Sequence, residues 1–418
     1  MGKEKKLIGI VGLGSMGREL CRNFEYITGN LVKTAAVVEP SDDNYQTGCR
    51  ETSSRPARYA TIEEMLAAVQ LDGIVIAAPN HTHYGILRKL AGRQIPVLLE
   101  KPLDSTFDKI CEIVRFCESY KGRVVVDHVC RYAPIIIKAS RLIDSGEIGN
   151  ICSFNFVQNC HYGNSMFRNF RRTTEGGGGM FIEKATHDFD ILLYLLQARP
   201  KRIAAIAQRQ AFGGNKPNNL TCSKCPEKLD CKDSTYNINS NYGFDKPMEA
   251  EGQEGCVYAQ EIDVPDNEVC MIEFENGVFG TYSECYFSPS SYPTREYELI
   301  GLKGIMKISL TFEGNDNRGR ILVCPRYGTR TDSYSFDFDY RSRIHYNGGL
   351  NVAKHFYHVM CGQAEPLTTV TQAFAAEILG YAAIQAAGEN TFINCLDIIP
   401  DDLAAVWNNK WEKSYHSY

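Results

Sequence analysis

Positive charge is not in excess over this chain: 45 Lys and Arg stand against 50 Asp and Glu, a net charge of −5. A nucleic acid or an anionic membrane surface is therefore not an expected partner. Long apolar runs are missing too, and none approaches the roughly 18 residues that span a bilayer. The opening Met-Gly-Lys-Glu-Lys-Lys runs straight into an apolar strand and leaves no room for a signal peptide, so a cytoplasmic location is expected. There is no internal repeat and no long low-complexity segment, which excludes solenoids and mainly disordered chains. Length is what the chain does have: 418 residues exceed what one hydrophobic core serves, so two domains are expected. Cysteine is also plentiful, at sixteen. Most, such as Cys111 and Cys117 on one helical stretch, sit in apolar contexts and read as small buried residues.

The first third alternates short apolar strands with helical patterns. Strands are read at Leu7–Val11, Thr34–Val38, Gly73–Ala77, Pro96–Leu99 and Arg123–Val126, with helices at Met16–Tyr26, Thr61–Val69, Thr82–Ala91 and Ser105–Ser119. This pattern predicts an α/β domain over residues 1–128 with a parallel sheet covered on both faces. Beyond it the runs lengthen and alternate, at Ile151–Gln158, Arg202–Gln210, Glu268–Glu275, Val278–Tyr286, Arg295–Leu302 and Ile305–Leu310. Glu275-Asn276-Gly277 marks an antiparallel hairpin. An α+β domain with an open, largely antiparallel or mixed sheet is expected over 129–390, carrying a polar, unpatterned insertion at about 213–256. Residues 391–418 are expected to form a tail packing on the body.

The first strand ends in Gly12-Leu13-Gly14-Ser15-Met16-Gly17, and a helix begins near Ser15. Strand, GxGxxG and helix together form a dinucleotide fingerprint. Gly12 permits the tight turn, Gly14 the approach of a pyrophosphate, and Gly17 close helix–strand packing. The helix N-terminus, with Ser15 and Met16, offers N–H groups and partial positive charge to the anion. Glu39 closes the next strand, at the ~20-residue spacing where a carboxylate meets the ribose hydroxyls. Pro40-Ser41-Asp42-Asp43 follow rather than an arginine, which favours NAD over NADP; the bland alternative is a solvated strand-end carboxylate.

Ligands of such sheets sit beyond the carboxyl ends of the strands, which directs attention to Pro79-Asn80, Glu100-Lys101-Pro102 and Asp127-His128. A lysine at the mouth of a buried strand costs free energy unless it acts there, although pairing with Glu100 at the surface would also explain it. The second cluster runs from the Gly176–Gly179 glycines through Glu183 and His187 to Asp190, entering an apolar helix. A helix that starts early puts Glu183, His187 and Asp190 on one face, where a carboxylate orients an imidazole for proton transfer. A plain helix start capped by Thr186 fits the same residues.

Taken in order, GLGSMG, Pro79-Asn80-His81-Thr82-His83, Glu100-Lys101-Pro102, Arg131-Tyr132-Ala133-Pro134 and GGGG…Glu183-x-x-x-His187-x-x-Asp190 resemble the Gfo/Idh/MocA oxidoreductases over about residues 5–390. The resemblance implies an N-terminal Rossmann domain, and a C-terminal domain whose open sheet mediates homodimers or homotetramers. It implies NAD(P)-linked oxidation or reduction of a small sugar, polyol or related hydroxyl compound. Lys101 and His187 would be the catalytic pair and Glu183 the supporting acid. Pro79, Asn80, His83, Glu100 and Lys101 would lie at the cofactor, and Arg131 near cofactor and substrate. Further substrate contacts are expected from Tyr162, Arg171, Arg172, Asp190 and His345, with Arg168 also a candidate. The family more often has Asp at position 183 and Gly at 185, so the substrate does not carry over. An NAD-retaining glycosidase using transient oxidation and a non-catalytic nucleotide-binding regulator are the alternatives.

The insertion holds Cys222-x2-Cys225-x5-Cys231, with Cys256 beyond. Four thiolates would give an unpatterned segment the order it cannot take from a core, so a closed structural zinc site is expected, with an iron–sulfur cluster or free thiols as alternatives.

Overall fold

The computed structural model describes residues 4–160, 163–237, 255–289, 294–313, 316–338 and 344–409. They fall into two compact units, one drawn from 1–137, 339–377 and 399–418, the other from 138–338 and 378–398. The first unit is thus not continuous in sequence.

Its sheet has six parallel strands: β1 (Lys6–Val11), β2 (Val32–Val38), β3 (Ala57–Tyr59), β4 (Gly73–Ile76), β5 (Val97–Glu100) and β6 (Val124–Asp127). Their order is β3-β2-β1-β4-β5-β6. Every residue of β4, β5 and β6 is buried, which is why these strands are continuous apolar runs and the sheet is parallel and covered. The order reverses between β1 and β4, where open α/β sheets bind their ligands. β3 and the helix Asp42–Glu51 escape the sequence pattern, one being three residues long and the other burying only Gly48.

The helix Ser15–Thr28 buries Leu20, Cys21 and Phe24 and stops at Gly29, which adopts φ 58° and donates its N–H to the Glu25 and Tyr26 carbonyls. Burial of Leu20 and Phe24 contributes roughly 1.5–3 kcal/mol each. Phe24 meets Phe356 of the helix Gly348–Met360 edge-on at 6.1 Å. The free edge of β6 is closed by Thr368: Val126 N–H donates to its carbonyl at 3.0 Å, and its hydroxyl donates back to the Val126 carbonyl at 2.5 Å.

The second unit carries an open sheet of nine strands: β7 (Ile151–Asn159), β8 (Pro200–Gln208), β9 (Asn267–Phe274), β10 (Phe279–Cys285), β11 (Thr294–Gly301), β12 (Gly304–Glu313), β13 (Asp316–Pro325), β14 (Asp332–Asp337) and β15 (Ile393–Asn394). The order is β14-β13-β12-β11-β7-β10-β9-β8-β15, antiparallel except for β7 beside β10. Gly277, at φ 85°, turns the β9–β10 hairpin, as Glu275-Asn276-Gly277 predicts. One sheet face leaves Ile206, Val269, Met271 and Phe279 exposed. β13 to β15 were not expected: β14 has no buried residue, and β13 opens on Asp-Asn-Arg-Gly-Arg. Among the described residues no helix is long and apolar enough to cross a membrane.

Candidate cofactor and catalytic residues

β1 delivers the chain to Gly12, at φ 90°. A Cβ there would lie 2.6 Å from the Ala77 carbonyl oxygen, and one at Gly17 would lie 2.1 Å from that of Gly12. Gly14 is different: a Cβ there would meet no protein atom within 4 Å, and no side chain caps the helix that starts after it. The turn therefore fits a pyrophosphate, having an open approach and uncapped N–H groups at Ser15 and Met16. Glu39 is buried at the end of β2 and steadies this turn, accepting from Leu13 N–H at 2.7 Å and Ser41 N–H at 2.8 Å. Arg58 of β3, which sequence reasoning missed, donates to the Glu39 and Pro40 carbonyls at 2.7 Å and pairs with Asp42.

At the carboxyl ends of the strands, Pro79 precedes a short turn that buries Asn80. His83 is fully buried. Its ring nitrogens face the Ala78 carbonyl at 2.9 Å and the Leu103 and Pro102 carbonyls at 3.0 and 3.1 Å, so it ties the loop after β4 to the loop after β5. Burial pushes its pKa down. Lys101 is half-buried and joined to Pro102 by a cis peptide. Leu103 N–H donates to the buried Glu377 carboxyl at 2.5 Å.

Glu100 and Asp127 are register partners on β5 and β6, both buried. Burial pushes Glu100 up to about 7 against the opposing pull of the Lys101 charge, and burial with the Glu100 charge holds Asp127 well above its ordinary range. The native pair binds protons that the unfolded chain releases, so its contribution to stability falls as pH rises from about 4.5 through about 7. Urea midpoints across that range should decline less steeply in Glu100→Gln than in the parent. Equal slopes would contradict the raised pKa of Glu100.

Arg131, expected beside cofactor and substrate, is 1% exposed, and its Nη1 donates to the Gln372 side-chain oxygen at 2.7 Å and the Leu367 carbonyl at 3.1 Å. That nitrogen holds the Thr368 segment. His345 begins three consecutive residues, with Tyr346 and Asn347, at φ of 57°, 59° and 66°. L-residues rarely adopt this conformation, and such strain concentrates at functional sites.

In the second unit the Glu183–His187 stretch is not one helix. Met180–Glu183 and Ala185–Leu196 are separated at Lys184, and Thr186, instead of capping, donates its hydroxyl to the Ile182 carbonyl at 2.7 Å. Glu183 is buried and accepts from Arg171 Nε at 2.7 Å. His187 and Asp190 are buried on the longer helix. Beside His187, and missed in the sequence, Asp188 is wholly buried and accepts from Arg295 Nε at 2.9 Å, from Tyr282 at 3.2 Å and from the Tyr297 hydroxyl. A charged residue entering an apolar helix was the available signal. Asp188 pins the first turn of that helix to β10 and β11, and with it the backbone of His187.

Two arginines turn elsewhere. Arg168 is buried in the insertion, donating to Asn164 at 2.6 Å, the Gly255 carbonyl at 2.9 Å and Cys222 Sγ at 3.2 Å. Arg172, expected at the substrate, pairs with Glu261 and donates to the Asn218 carbonyl at 2.8 Å. Their charge is satisfied by the Gly255 and Asn218 carbonyls of the insertion and by the Glu261 carboxylate beyond it. Tyr162 lies outside the described residues. All sixteen cysteines are free, and among the described residues no three His, Cys, Asp or Glu side chains are placed to hold a metal ion. The closed zinc site expected at Cys222, Cys225, Cys231 and Cys256 is not supported by this arrangement.

Residues 6–128 match the oxidoreductase family's NAD-binding Rossmann fold, and residues 136–307 match the GFO/IDH/MocA C-terminal domain. The chain belongs to the Gfo/Idh/MocA oxidoreductase family. Among its Gfo/Idh/MocA relatives, the rhizopine catabolism protein MocA of Rhizobium meliloti is 27% identical over 209 residues, 50% of this chain and 62% of that protein. Inositol 2-dehydrogenase 1 of Saccharopolyspora erythraea is 28% identical over 259 residues, 60% of this chain and 72% of that protein. The match to MocA thus spans less than two thirds of its length. A levoglucosan dehydrogenase solved with NADH and levoglucosan shares the fold at a TM-score of 0.71 and 15% identity, covering 94% of this chain and 100% of its own.

Proposed function

We propose that this Gfo/Idh/MocA protein is an NAD-linked dehydrogenase acting on a hydroxyl carbon of a sugar, polyol or sugar derivative. The observation that carries the reading is Lys101 at the carboxyl end of β5, on the sheet edge that also holds the uncapped glycine turn. The relatives named inositol 2-dehydrogenase and levoglucosan dehydrogenase support the substrate class.

Gly12, Gly14, Ser15 and Met16 would hold the pyrophosphate, Glu39 would face the ribose, and Pro79 and Asn80 would line the nicotinamide half. His83 and Glu100 support that half from beneath. Bound there, the nicotinamide supplies the hydride acceptor or donor. His187 takes the substrate hydroxyl proton at its imidazole. Lys101 stabilises the negative charge developing on that oxygen. Glu183, held by Arg171, fixes the hydrogen-bonding pattern of the site, while Arg171, Asp190, Arg131 and His345 set substrate fit.

The Glu39 carboxylate supports NAD over NADP, as does Arg58, which is engaged by Asp42 and two carbonyls. The exposed apolar face with Val269, Met271 and Phe279 suits self-association into a dimer or tetramer. Gly14→Ala separates binding from folding: thermal stability should stay close to the parent's, while NADH affinity falls at least about tenfold as the methyl meets the pyrophosphate. Unchanged affinity by titration calorimetry would remove the turn from the cofactor site.

The deciding experiment is a panel of polyols, sugars and aryl glycosides, following NADH absorbance and leaving-group release together. NADH formation on a polyol or sugar supports the dehydrogenase. Leaving-group release without net NADH identifies an NAD-retaining glycosidase, and silence in both channels with NAD bound points to a regulator.

A further inference from the structure

The described part of the insertion, residues 213–237, holds a defined path with almost no core of its own. Between residues 213 and 237 only Cys222 and Ser234 are buried, while Leu229 is 71% and Tyr236 52% exposed. Its anchor is a satellite cluster outside this stretch, where Phe212, Val257, Ala259, Ile262 and Val264 pack on Phe167 and Tyr286. Backbone ordering costs about 1–2 kcal/mol per residue, and this stretch buries too little apolar surface to offset it. Some other cross-link has to order it.

Hydrogen bonds from Asn164, Arg168 and Arg172 and the Lys216–Glu227 pair tie the stretch down in part, and its remaining cross-linking chemistry is sulfur. Cys222, Cys225, Cys231 and Cys256 line one small cavity of about 20 Å³ together with Arg168 and Lys228. The backbone wraps this cavity: Cys225 N–H donates to the Cys222 carbonyl at 3.2 Å, Cys231 N–H to the Glu227 carbonyl at 2.8 Å, and Cys256 N–H to the Leu220 carbonyl at 2.9 Å. Arg168, 2% exposed, directs Nη1 at Cys222 Sγ at 3.2 Å. A buried guanidinium aimed at sulfur is the hydrogen bond that stabilises metal-bound thiolates.

We infer that these four cysteines form a thiolate site for a soft metal centre that orders the insertion and, through Arg168 and Arg172, the Gly163–Arg172 segment leading to Arg171. In the thiol form the sulfurs do not converge on one point. A single tetrahedral zinc needs them about 3.8 Å apart at ~2.3 Å bonds. Rotation between χ1 wells moves each sulfur by about 3 Å with the backbone fixed. An iron–sulfur cluster, which binds each thiolate to its own iron or shares them between two, holds them farther apart. Binding one divalent ion by four thiols releases four protons and leaves a charge of −2, which Arg168 and Lys228 offset. With no open coordination position, the centre is structural and distinct from the hydride chemistry.

The test is metal analysis of the purified full chain, handled without oxygen, with its visible spectrum. About one zinc per chain and no colour, or iron with acid-labile sulfide and a brown absorption, both support the site and say which centre fills it. The metal should be lost in Cys225→Ser and in Cys256→Ser and kept in Cys324→Ser, whose thiol is exposed on another strand. A folded parent chain with less than about a tenth of a metal per chain, taking up neither zinc nor iron and sulfide, overturns the inference. So do two disulfides among these cysteines by mass spectrometry.

Discussion

Lys101→Ala should lower turnover by roughly 10²–10⁴-fold while NADH still binds within a few-fold of the parent affinity. The loss follows from position. The side chain follows the last residue of β5, on the ligand edge of the sheet, and little in the fold depends on it, since it is only half-buried. In the proposed mechanism, removing it takes away a cation from a developing alkoxide without opening a cavity. Lys101→Arg should recover little, because a guanidinium has a different reach and shape. Steady-state kinetics on the substrate found by the panel, with NADH titration in parallel, checks both halves. Turnover within a few-fold of the parent would remove Lys101 from the chemistry.

Asp188→Ala should be the most destabilising single change, by roughly 3–5 kcal/mol. It strips a wholly buried carboxylate from Arg295, which is itself almost entirely buried, and takes the Asp188 acceptor from the Tyr297 hydroxyl, while Tyr282 keeps its 2.8 Å bond to Glu284. The guanidinium then stays buried after losing Asp188. Asp188→Ala combined with Arg295→Leu should recover part of the loss, since replacing both partners avoids the stranded charge. Urea unfolding measures this. If Asp188→Ala shifts the midpoint no more than an ordinary surface change, the network is not what holds the helix to the sheet. The parent and variants should also differ in kcat, because the same network fixes the backbone that carries His187.

How much of this can be read from the chain depends on the range of the forces involved. Gly12 and Gly17 are legible because the φ of 90° at Gly12 and the clash of a Gly17 Cβ with the Gly12 carbonyl both arise within six residues. Glu39 is legible because strand and helix lengths set its spacing. Lys101 stands out because a cation at the end of an apolar run is costly. Partners chosen by the tertiary fold are different. Arg171 and Arg172 are neighbours of the same type, yet one pairs with Glu183 and the other with Glu261. Asp188 finds Arg295 at a separation of 107 residues. The break at Lys184 was hidden by an unbroken helical pattern around it. β13 and β14 were hidden because edge strands with little buried surface carry no alternation strong enough to notice.

The place of β7 has a consequence for how the chain is made. It lies in the middle of the nine-stranded sheet, yet both neighbours are encoded far downstream: Ser153 pairs with Phe279, and Thr294 opens the ladder on its other side. On a ribosome adding about 5–20 residues per second, Phe154 and Phe156 wait roughly 6–25 s for the first of those partners. No nascent chain that ends before Thr294 can complete the ladder on both sides of β7. The second unit therefore closes late in synthesis, with its central aromatic strand the longest without partners.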